Sequence, residues 1–250
     1  MKKFFAVLLG LALGVTMLFG MTACGGDDGN TLKIGITYYE PMNYFDENNK
    51  LVGFDTEFAE KACAELGFTP KFIEIDWNTK QIALQTKEID VIWNGMTIKE
   101  ELREFMAISD AYMENKQVVV VRSADASKYT DVASLAQATS IAVENGSAGE
   151  SSTAELGVAL NKMSKQADCL LEVKSGTSDI AVIDLTMAKA MTGAGTDYAD
   201  LTYIDVGFEG EEYGIGVRKE DTDLLSDLNA LIAKYKTDGT FDSLVKKYMA

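Results

Sequence analysis

Hydrophobic residues recur along the chain with the spacing of alternating strands and helices. Residues 32–36 alternate between apolar and polar side chains as a half-buried strand does, and residues 72–75 form a second strand-like run. Between them, Asp55 is placed to cap an amphipathic helix. A second helix opens at Asn78, and residues 89–93 are apolar enough for a buried strand. This order of elements predicts a parallel, doubly wound sheet.

A similar arrangement recurs in the second half of the chain. Residues 140–143 are strand-like, and the segment 149–163 is predicted to be helical. A strand is predicted at 169–173, and the apolar run 179–183 is predicted to be a buried strand. The two halves therefore predict two α/β lobes, although no close internal sequence repeat accompanies the shared pattern.

Two further extended runs link the halves. The β-branched run 117–121 and the segment 213–217 are predicted to cross between the lobes. That crossing returns the last two helices, at 222–236 and 240–249, to the first lobe. The Asp-Gly pair at 238–239 supplies the turn between these helices.

The N-terminus has the layout of an export signal. Two lysines precede an apolar run at 4–20, which is short for a membrane span. The run ends in Met21-Thr22-Ala23-Cys24, which resembles the lipobox of bacterial lipoproteins. This resemblance implies a signal peptide at 1–23, lipidation of Cys24 and a tether at 24–30. An ordinary signal peptide with an incidental cysteine, or an uncleaved anchor, is the alternative.

Composition excludes several functions. Loss of the two lysines with the signal peptide takes the formal charge from −16 to −18, which argues against nucleic acid and anionic lipid surfaces as partners. The chain has no histidine, so catalytic Ser-His and Cys-His pairs and His-based zinc sites are excluded. Nothing predicts a cofactor or a metal. Cys63 and Cys169 fall in different predicted lobes and are expected to be buried free thiols.

Five short motifs carry a family resemblance. They are Val52–Asp55, Ile89–Ile98, Ser109–Tyr112, Tyr213–Val217 and Asp238–Phe241. Their order and spacing resemble the polar-amino-acid family of solute-binding proteins, which includes the glutamine- and histidine-binding proteins of ABC importers. The resemblance extends over nearly all of residues 32–248.

The resemblance implies a fold and a function. The fold is α/β, the two-lobe periplasmic-binding-protein fold of type II, in which each lobe is a mostly parallel sheet flanked by helices and two hinge strands cross between lobes. Residues 31–119 and 214–250 would form lobe 1, and 120–213 lobe 2. The implied protein is a monomer on the outer face of the cell membrane, held by its lipid. It would bind a small polar solute, an amino acid above all, and serve an ABC permease.

The resemblance also implies ligand-binding residues. Asp184 follows a buried strand at the family's ammonium-binding position, although a helix N-cap is the other interpretation. Trp77 and Tyr39 match aromatic rings that cover the ligand, with core packing as the alternative for each. Asn94, Gly95 and Thr97 match a ligand-contacting loop, and Ser147 and Ala148 match the start of a second-lobe helix that meets a carboxylate.

One position departs from the family pattern. In the family an arginine five residues after the threonine clamps the carboxylate of the ligand, and here Leu102 occupies that place. Arg103 follows one residue later, which is about 100° further round a helix. Either Arg103 and backbone N–H groups take over the carboxylate, or the ligand is not a standard α-amino acid.

Other functions are possible on this fold. Some relatives are dehydratases that use a carboxylate as general acid, and Glu144 stands beside the second-lobe loop where it would serve. A ligand-sensing partner of a membrane receptor is a second alternative. A lipid-anchored adhesin that keeps the fold is a third.

Overall fold

A ten-stranded mixed β-sheet runs through both halves of the computed structural model, which describes residues 30–249, and Tyr44–Phe45 pairs with Leu51–Val52 in a separate two-stranded sheet. The predicted signal peptide, the lipidation of Cys24 and most of the tether therefore lie outside the described residues. The strands are β1 (Thr31–Ile36), β2 (Tyr44–Phe45), β3 (Leu51–Val52), β4 (Thr69–Glu74), β5 (Val91–Thr97), β6 (Ala107–Ile108), β7 (Met113–Arg122), β8 (Ser140–Glu144), β9 (Ala159–Met163), β10 (Ile180–Asp184), β11 (Leu201–Ile204) and β12 (Gly210–Val217).

Helices cover the sheet and join its strands. The α-helices are α1 (Phe54–Leu66), α2 (Lys80–Gln85), α3 (Ala148–Thr153), α4 (Gln166–Ser175), α5 (Leu185–Met191), α6 (Thr222–Thr237) and α7 (Thr240–Tyr248). Short 3₁₀ helices occupy Trp77–Thr79, Glu100–Glu104, Ser123–Lys128 and Val132–Gln137. Within residues 30–249, no helix has both the length and the apolar character needed to cross a membrane.

The strand order shows two lobes that share a central pair of strands. Along the sheet the order is β4-β1-β5-β12-β7-β10-β8-β9. In the first lobe β1 pairs in parallel with β4 and β5, and in the second β8 pairs in parallel with β9 and β10. Strands β7 and β12 are antiparallel to each other, with Met113 opposite Tyr213 and Lys116 opposite Gly210. Beyond that overlap β12 continues along β5, whereas β7 continues along β10 and β11.

Helix α1 begins one residue before the predicted cap. Gly53 is the N-cap residue with φ +130°, and a Cβ there would lie 2.2 Å from the carbonyl oxygen of Met42. Asp55 lies inside the first turn, fully buried, so the prediction that it caps the helix is wrong. Its carboxylate accepts hydrogen bonds from the Gly95 N–H (2.7 Å) and the Tyr112 hydroxyl (2.9 Å). Asp55 therefore ties α1 to the end of β5.

Two predicted elements of the second lobe differ in the structure. The predicted helix at 149–163 stops at Thr153, and 159–163 is strand β9, which pairs with β8. The predicted strand at 169–173 is part of helix α4. Its buried residues Cys169, Leu170 and Val173 recur at helical spacing, whereas Leu171 is 58% exposed. An apolar run of five residues was too short to separate the two periods.

The core of each lobe packs between the sheet and its helices. Trp93 on β5 is fully buried, with its ring 4.5 Å from that of Phe58 on α1. Cys63 on α1 and Cys169 on α4 are buried free thiols in different lobes, as the sequence predicts. Packing in these cores fixes the positions of the strand ends that meet between the lobes.

Candidate ligand-binding site

A cavity of about 420 Å³ lies between the lobes, at the ends of the central strands. This volume is in the range of small-molecule sites. Eight of the nine residues predicted to bind ligand line it: Tyr39, Trp77, Asn94, Gly95, Thr97, Ser147, Ala148 and Asp184.

Arg103 does not reach the cavity. It lies in the 3₁₀ helix Glu100–Glu104 with its side chain 42% exposed, and its Nε is 3.4 Å from a Glu100 carboxylate oxygen. Leu102 faces the cavity instead and is 7% exposed. One residue is about 120° of a 3₁₀ helix, which turns Arg103 away from the site. The predicted binding role of Arg103 is therefore wrong for this structure.

Asp184 is held in place by neutral donors. It occupies the N-cap position of α5, but its carboxylate makes no capping hydrogen bond there. One oxygen accepts from Asn115 Nδ2 (2.6 Å) and Gln117 Nε2 (2.7 Å), and the other accepts from Gln166 Nε2 (2.6 Å). Asp184 is buried and lines the cavity, so its charge is solvated by three amides. Such a carboxylate retains its attraction for a cationic ligand group.

A second carboxyl shares these amides. Asn115 and Gln117 on β7 also donate to Glu211 Oε1 on β12, at 2.6 and 2.8 Å. Burial, together with the charge of Asp184, raises the pKa of Glu211 to about 7. The sequence pattern did not predict this cluster. Its signal is the polar stretch at 114–117, which precedes the apolar run of β7.

The two predicted aromatic residues differ in their contacts. Trp77 begins the 3₁₀ turn after Asp76, whose side chain caps that turn. Tyr39 is buried, and its hydroxyl bonds with Thr186 of the second lobe and with Tyr213 (2.6 Å). Tyr39 therefore joins the lobes as well as lining the cavity.

The residues that the resemblance places in a ligand-contacting loop lie in the last part of strand β5. The Asn94 side chain accepts from the N–H and hydroxyl of Thr37, and it donates to the Thr37 carbonyl and to Asn43 Oδ1 (2.7 Å). Gly95 has φ +55°, and a Cβ there would lie 2.7 Å from Tyr39 Cε1. Asn94 thus ties the end of β5 to the segment that follows β1, and only glycine fits beneath the Tyr39 ring.

The second-lobe loop is built around Glu150. Its carboxylate accepts the Gly146 N–H (2.6 Å) and pairs with Lys162 (2.6 Å). Ser147 is the N-cap of α3, and its hydroxyl accepts the Glu150 N–H (3.2 Å). The Ser147 hydroxyl is therefore used within the loop.

Two buried ionisable residues complete the cavity wall. Lys80 opens α2, is 4% exposed, and has Nζ 4.6 Å from the centre of the Trp77 ring. Burial lowers the pKa of Lys80 to about 8, against the opposing charge of Glu144. Glu144 ends β8, and burial together with Asp184 raises its pKa to about 8. Within residues 30–249, Glu144 Oε1 has no hydrogen-bond partner. Lys80 was not predicted, although it stands three residues after Trp77.

Side chains close the cavity from both lobes. Lys80 Nζ of the first lobe donates to the Gly146 carbonyl of the second (2.9 Å), and Lys99 Nζ donates to Ser151 Oγ (2.6 Å). A Cβ on Gly146 would lie 2.9 Å from Asn78 Cα, so the two loops touch. Lys165 pairs with Glu74 across the cleft as well (2.6 Å). The structure is the closed form.

Fold and cavity define the class as two-lobe proteins that enclose a small ligand at a hinge. The model of the bacterial extracellular solute-binding proteins, family 3, matches residues 32–250, and the chain belongs to this family. It is therefore an extracytoplasmic solute-binding protein.

Relatives and solved structures agree with this assignment. The arginine-binding extracellular protein ArtP of Bacillus subtilis is 26% identical over 261 residues, which cover 99% of this chain and 98% of ArtP. A mutant of ArgBP from T. maritima is 34% identical with a TM-score of 0.80, covering 88% of this chain and 95% of that one. The ancestral amino acid-binding protein AncCDT-1, a precursor of cyclohexadienyl dehydratase, is 30% identical with a TM-score of 0.81, covering 88% and 96%.

Proposed function

We propose that this protein captures an amino acid between its lobes and delivers it to the permease of an ABC importer. The observation that carries the proposal is Asp184, a buried carboxylate in the cavity wall whose hydrogen-bond donors are all neutral. An ammonium group supplies the missing positive charge, and each charge-assisted hydrogen bond contributes about 1.5–3 kcal/mol. Relatives named for binding arginine and glutamine support the substrate class.

Closure of the lobes is the change in shape that the permease would recognise. A ligand that touches Asp184 in one lobe and the end of strand β5 in the other binds the closed form better than the open form. Binding therefore shifts the population toward closure, with the overlap of β7 and β12 as the hinge. The permease then distinguishes loaded from empty protein by shape.

Binding is tested by thermal shift on full-chain protein that has been unfolded and refolded to remove bound ligand. At 100 times its dissociation constant, an amino acid stabilises the protein by about 2.7 kcal/mol. Asp184→Asn is expected to weaken binding at least tenfold, because an ammonium loses its charged acceptor. Asp205→Asn, the same change at an exposed carboxylate paired with Lys116, is the control. The proposal is contradicted if no amino acid raises the melting temperature, or if Asp184→Asn binds the ligand as tightly as wild type does.

The lipid anchor is a second part of the proposal. Cys24 stands at the end of the apolar N-terminal run, where a lipidated cysteine would hold the protein at the outer face of the membrane. A diacyl anchor suffices for stable attachment. Cys24→Ser is expected to release the protein from membranes and to abolish incorporation of labelled fatty acid. Continued labelling of the variant would exclude this site.

A dehydratase is the second candidate function. Glu144 lines the cavity as a buried carboxyl with a raised pKa and an oxygen without a partner among the described residues, as a general acid requires. The similarity to a precursor of cyclohexadienyl dehydratase favours testing it. A 4-hydroxycyclohexadiene carboxylate would lose carbon dioxide while Glu144 protonates the departing hydroxyl to water, and the aromatic product is detectable by ultraviolet absorbance. Turnover abolished by Glu144→Gln would establish the enzyme, and absence of product would leave binding as the function.

A further inference from the structure

The cavity wall offers few cations to a ligand carboxylate. An amino acid carries a carboxylate as well as an ammonium group, and burying that carboxylate requires a compensating donor. None of the three arginines lines the cavity: Arg103 is on the outer surface, Arg122 bonds to the Val173 carbonyl, and Arg218 pairs with Asp90. The cationic residues that line it are Lys80 and Lys99.

These two lysines differ in their surroundings. Lys99 is 21% exposed in its side chain, donates to Ser151 and lies 3.9 Å from a Glu101 carboxylate oxygen. Lys80 is buried, and its Nζ donates to the carbonyl oxygens of Trp77 (3.1 Å) and Gly146 (2.9 Å). Both hydrogen-bond partners of Lys80 are neutral, so its charge is the less compensated of the two.

Lys80 is also fixed in position. An ammonium has three N–H donors, and the two carbonyl oxygens accept two of them. The partners come from opposite lobes, so this arrangement exists only when the lobes are closed. Among residues 30–249 the third donor has no hydrogen-bond acceptor, and the side chain that carries it lines the cavity and is already ordered. A carboxylate that meets it there gains a charge-assisted hydrogen bond with little further ordering cost.

We propose that Lys80 binds the carboxylate of the ligand, in the role for which the cavity provides no arginine. The ligands are then amino acids with a free carboxylate, and the corresponding amides and esters bind poorly. Burial lowers the pKa of Lys80 to about 8, as expected of an ammonium whose two hydrogen-bond acceptors are neutral carbonyl oxygens. This inference rests on the proposed function, because it specifies how an amino acid is held.

The test compares an amino acid with its own carboxamide. Full-chain wild-type protein, Lys80→Met and the matched control Lys174→Met, an exposed lysine outside the cavity, are titrated by calorimetry with the amino acid that gives the largest thermal shift and with its amide. Wild type is expected to prefer the acid by about 30-fold, as a charge-assisted hydrogen bond implies. In Lys80→Met this preference falls to threefold or less, whereas Lys174→Met keeps it. Lys80→Arg is expected to retain it.

The acid-to-amide ratio separates binding from a structural role. If Lys80 served only to hold the lobes together through Trp77 and Gly146, Lys80→Met would weaken both ligands equally and leave the ratio unchanged. That result overturns the inference and leaves the proposed function standing. Wild-type protein that binds no amino acid overturns both. Lys80→Gln, which can still meet the Gly146 carbonyl, gives the same ratio test if Lys80→Met does not fold.

Discussion

Replacing Glu144 by glutamine removes a buried ionisable proton while keeping the shape of the side chain. Glu144 is 4% exposed, and the charged groups that act on it are Asp184, Lys80 and Asp168. Burial first, and the Asp184 charge second, raise its pKa from 4.5 to about 8. The folded protein therefore keeps this proton up to about pH 8, whereas the unfolded chain releases it near pH 4.5. The folded state binds more protons between those values, so its stability falls as the pH rises.

The size of the effect follows from linkage. Each unit of pKa difference corresponds to about 1.4 kcal/mol. Between pH 5 and pH 7 the unfolded side chain ionises almost completely and the folded one hardly at all, so wild-type protein loses about 2–3 kcal/mol of unfolding free energy through Glu144. Glutamine does not titrate. The variant therefore gains about 2–3 kcal/mol relative to wild type over this interval.

Urea unfolding of ligand-free protein at pH 5, 6 and 7 measures this difference. Burial also raises the pKa values of Asp55 and Glu211 to about 7. Both residues are present in wild type and in the variant, so their contributions to the pH dependence of stability cancel in the difference. Glu150→Gln is the matched control. Burial raises the pKa of Glu150, but hydrogen bonds from Lys162 and the Gly146 N–H outweigh burial and hold that pKa below its usual value. The contribution of Glu150 to the unfolding free energy is therefore nearly constant above pH 5. A stability difference for Glu144→Gln that changes by less than about 0.5 kcal/mol would refute the reasoning.

Three other predictions concern packing and charge. Gly149→Ala places a Cβ 2.4 Å from the Val182 carbonyl oxygen and should cost about 1–3 kcal/mol in urea unfolding, whereas Gly210→Ala, with nothing within 4 Å, should cost less than about 1 kcal/mol. Equal losses would contradict the predicted clash. Lys165→Met removes an ion pair whose side chains are 36% and 41% exposed, and by calorimetry should change ligand affinity by no more than about threefold. Leu102→Arg, added to Lys80→Met, should restore the preference for acid over amide by placing a cation at the cavity wall; an unrestored ratio would exclude that position.

The sequence predicted the positions around the cavity better than their contacts. Register and motif spacing place Asp184, Trp77 and Gly95 at strand ends, and the structure has them lining one cavity. Hydrogen-bond partners are set by tertiary packing, so the sequence could not show that the Asn94 amide is used by Thr37 and Asn43. It also could not show that the side chain of Lys80 is buried at the cavity, because a lysine on a short helix is usually exposed.

Errors in the second lobe have a different physical cause. Strand β9 is an edge strand whose residues are half-buried or exposed, so its alternation is weak. Helix α4 buries adjacent apolar residues, and over five residues this pattern resembles that of a buried strand. The position of Arg103 depended on where its helical turn begins, because a start one residue later would bring Arg103 to the place that Leu102 occupies. Local sequence does not decide the start of so short a turn.

Asp184 lies beside the hinge, so a rotation of the lobes moves it less than it moves the edges of the sheet. Its carboxylate accepts hydrogen bonds from Asn115 and Gln117 on hinge strand β7. A ligand bound to Asp184 would therefore act close to the axis about which the lobes rotate. The outer strands β4 and β9 each lie three strands from the hinge pair, about 14 Å away at the usual strand spacing. When one lobe rotates about the hinge, displacement grows with distance from the pivot, so a small movement at Asp184 accompanies a larger one at these outer strands. Under the proposed function, a permease that contacts the outer strands detects closure without touching the ligand.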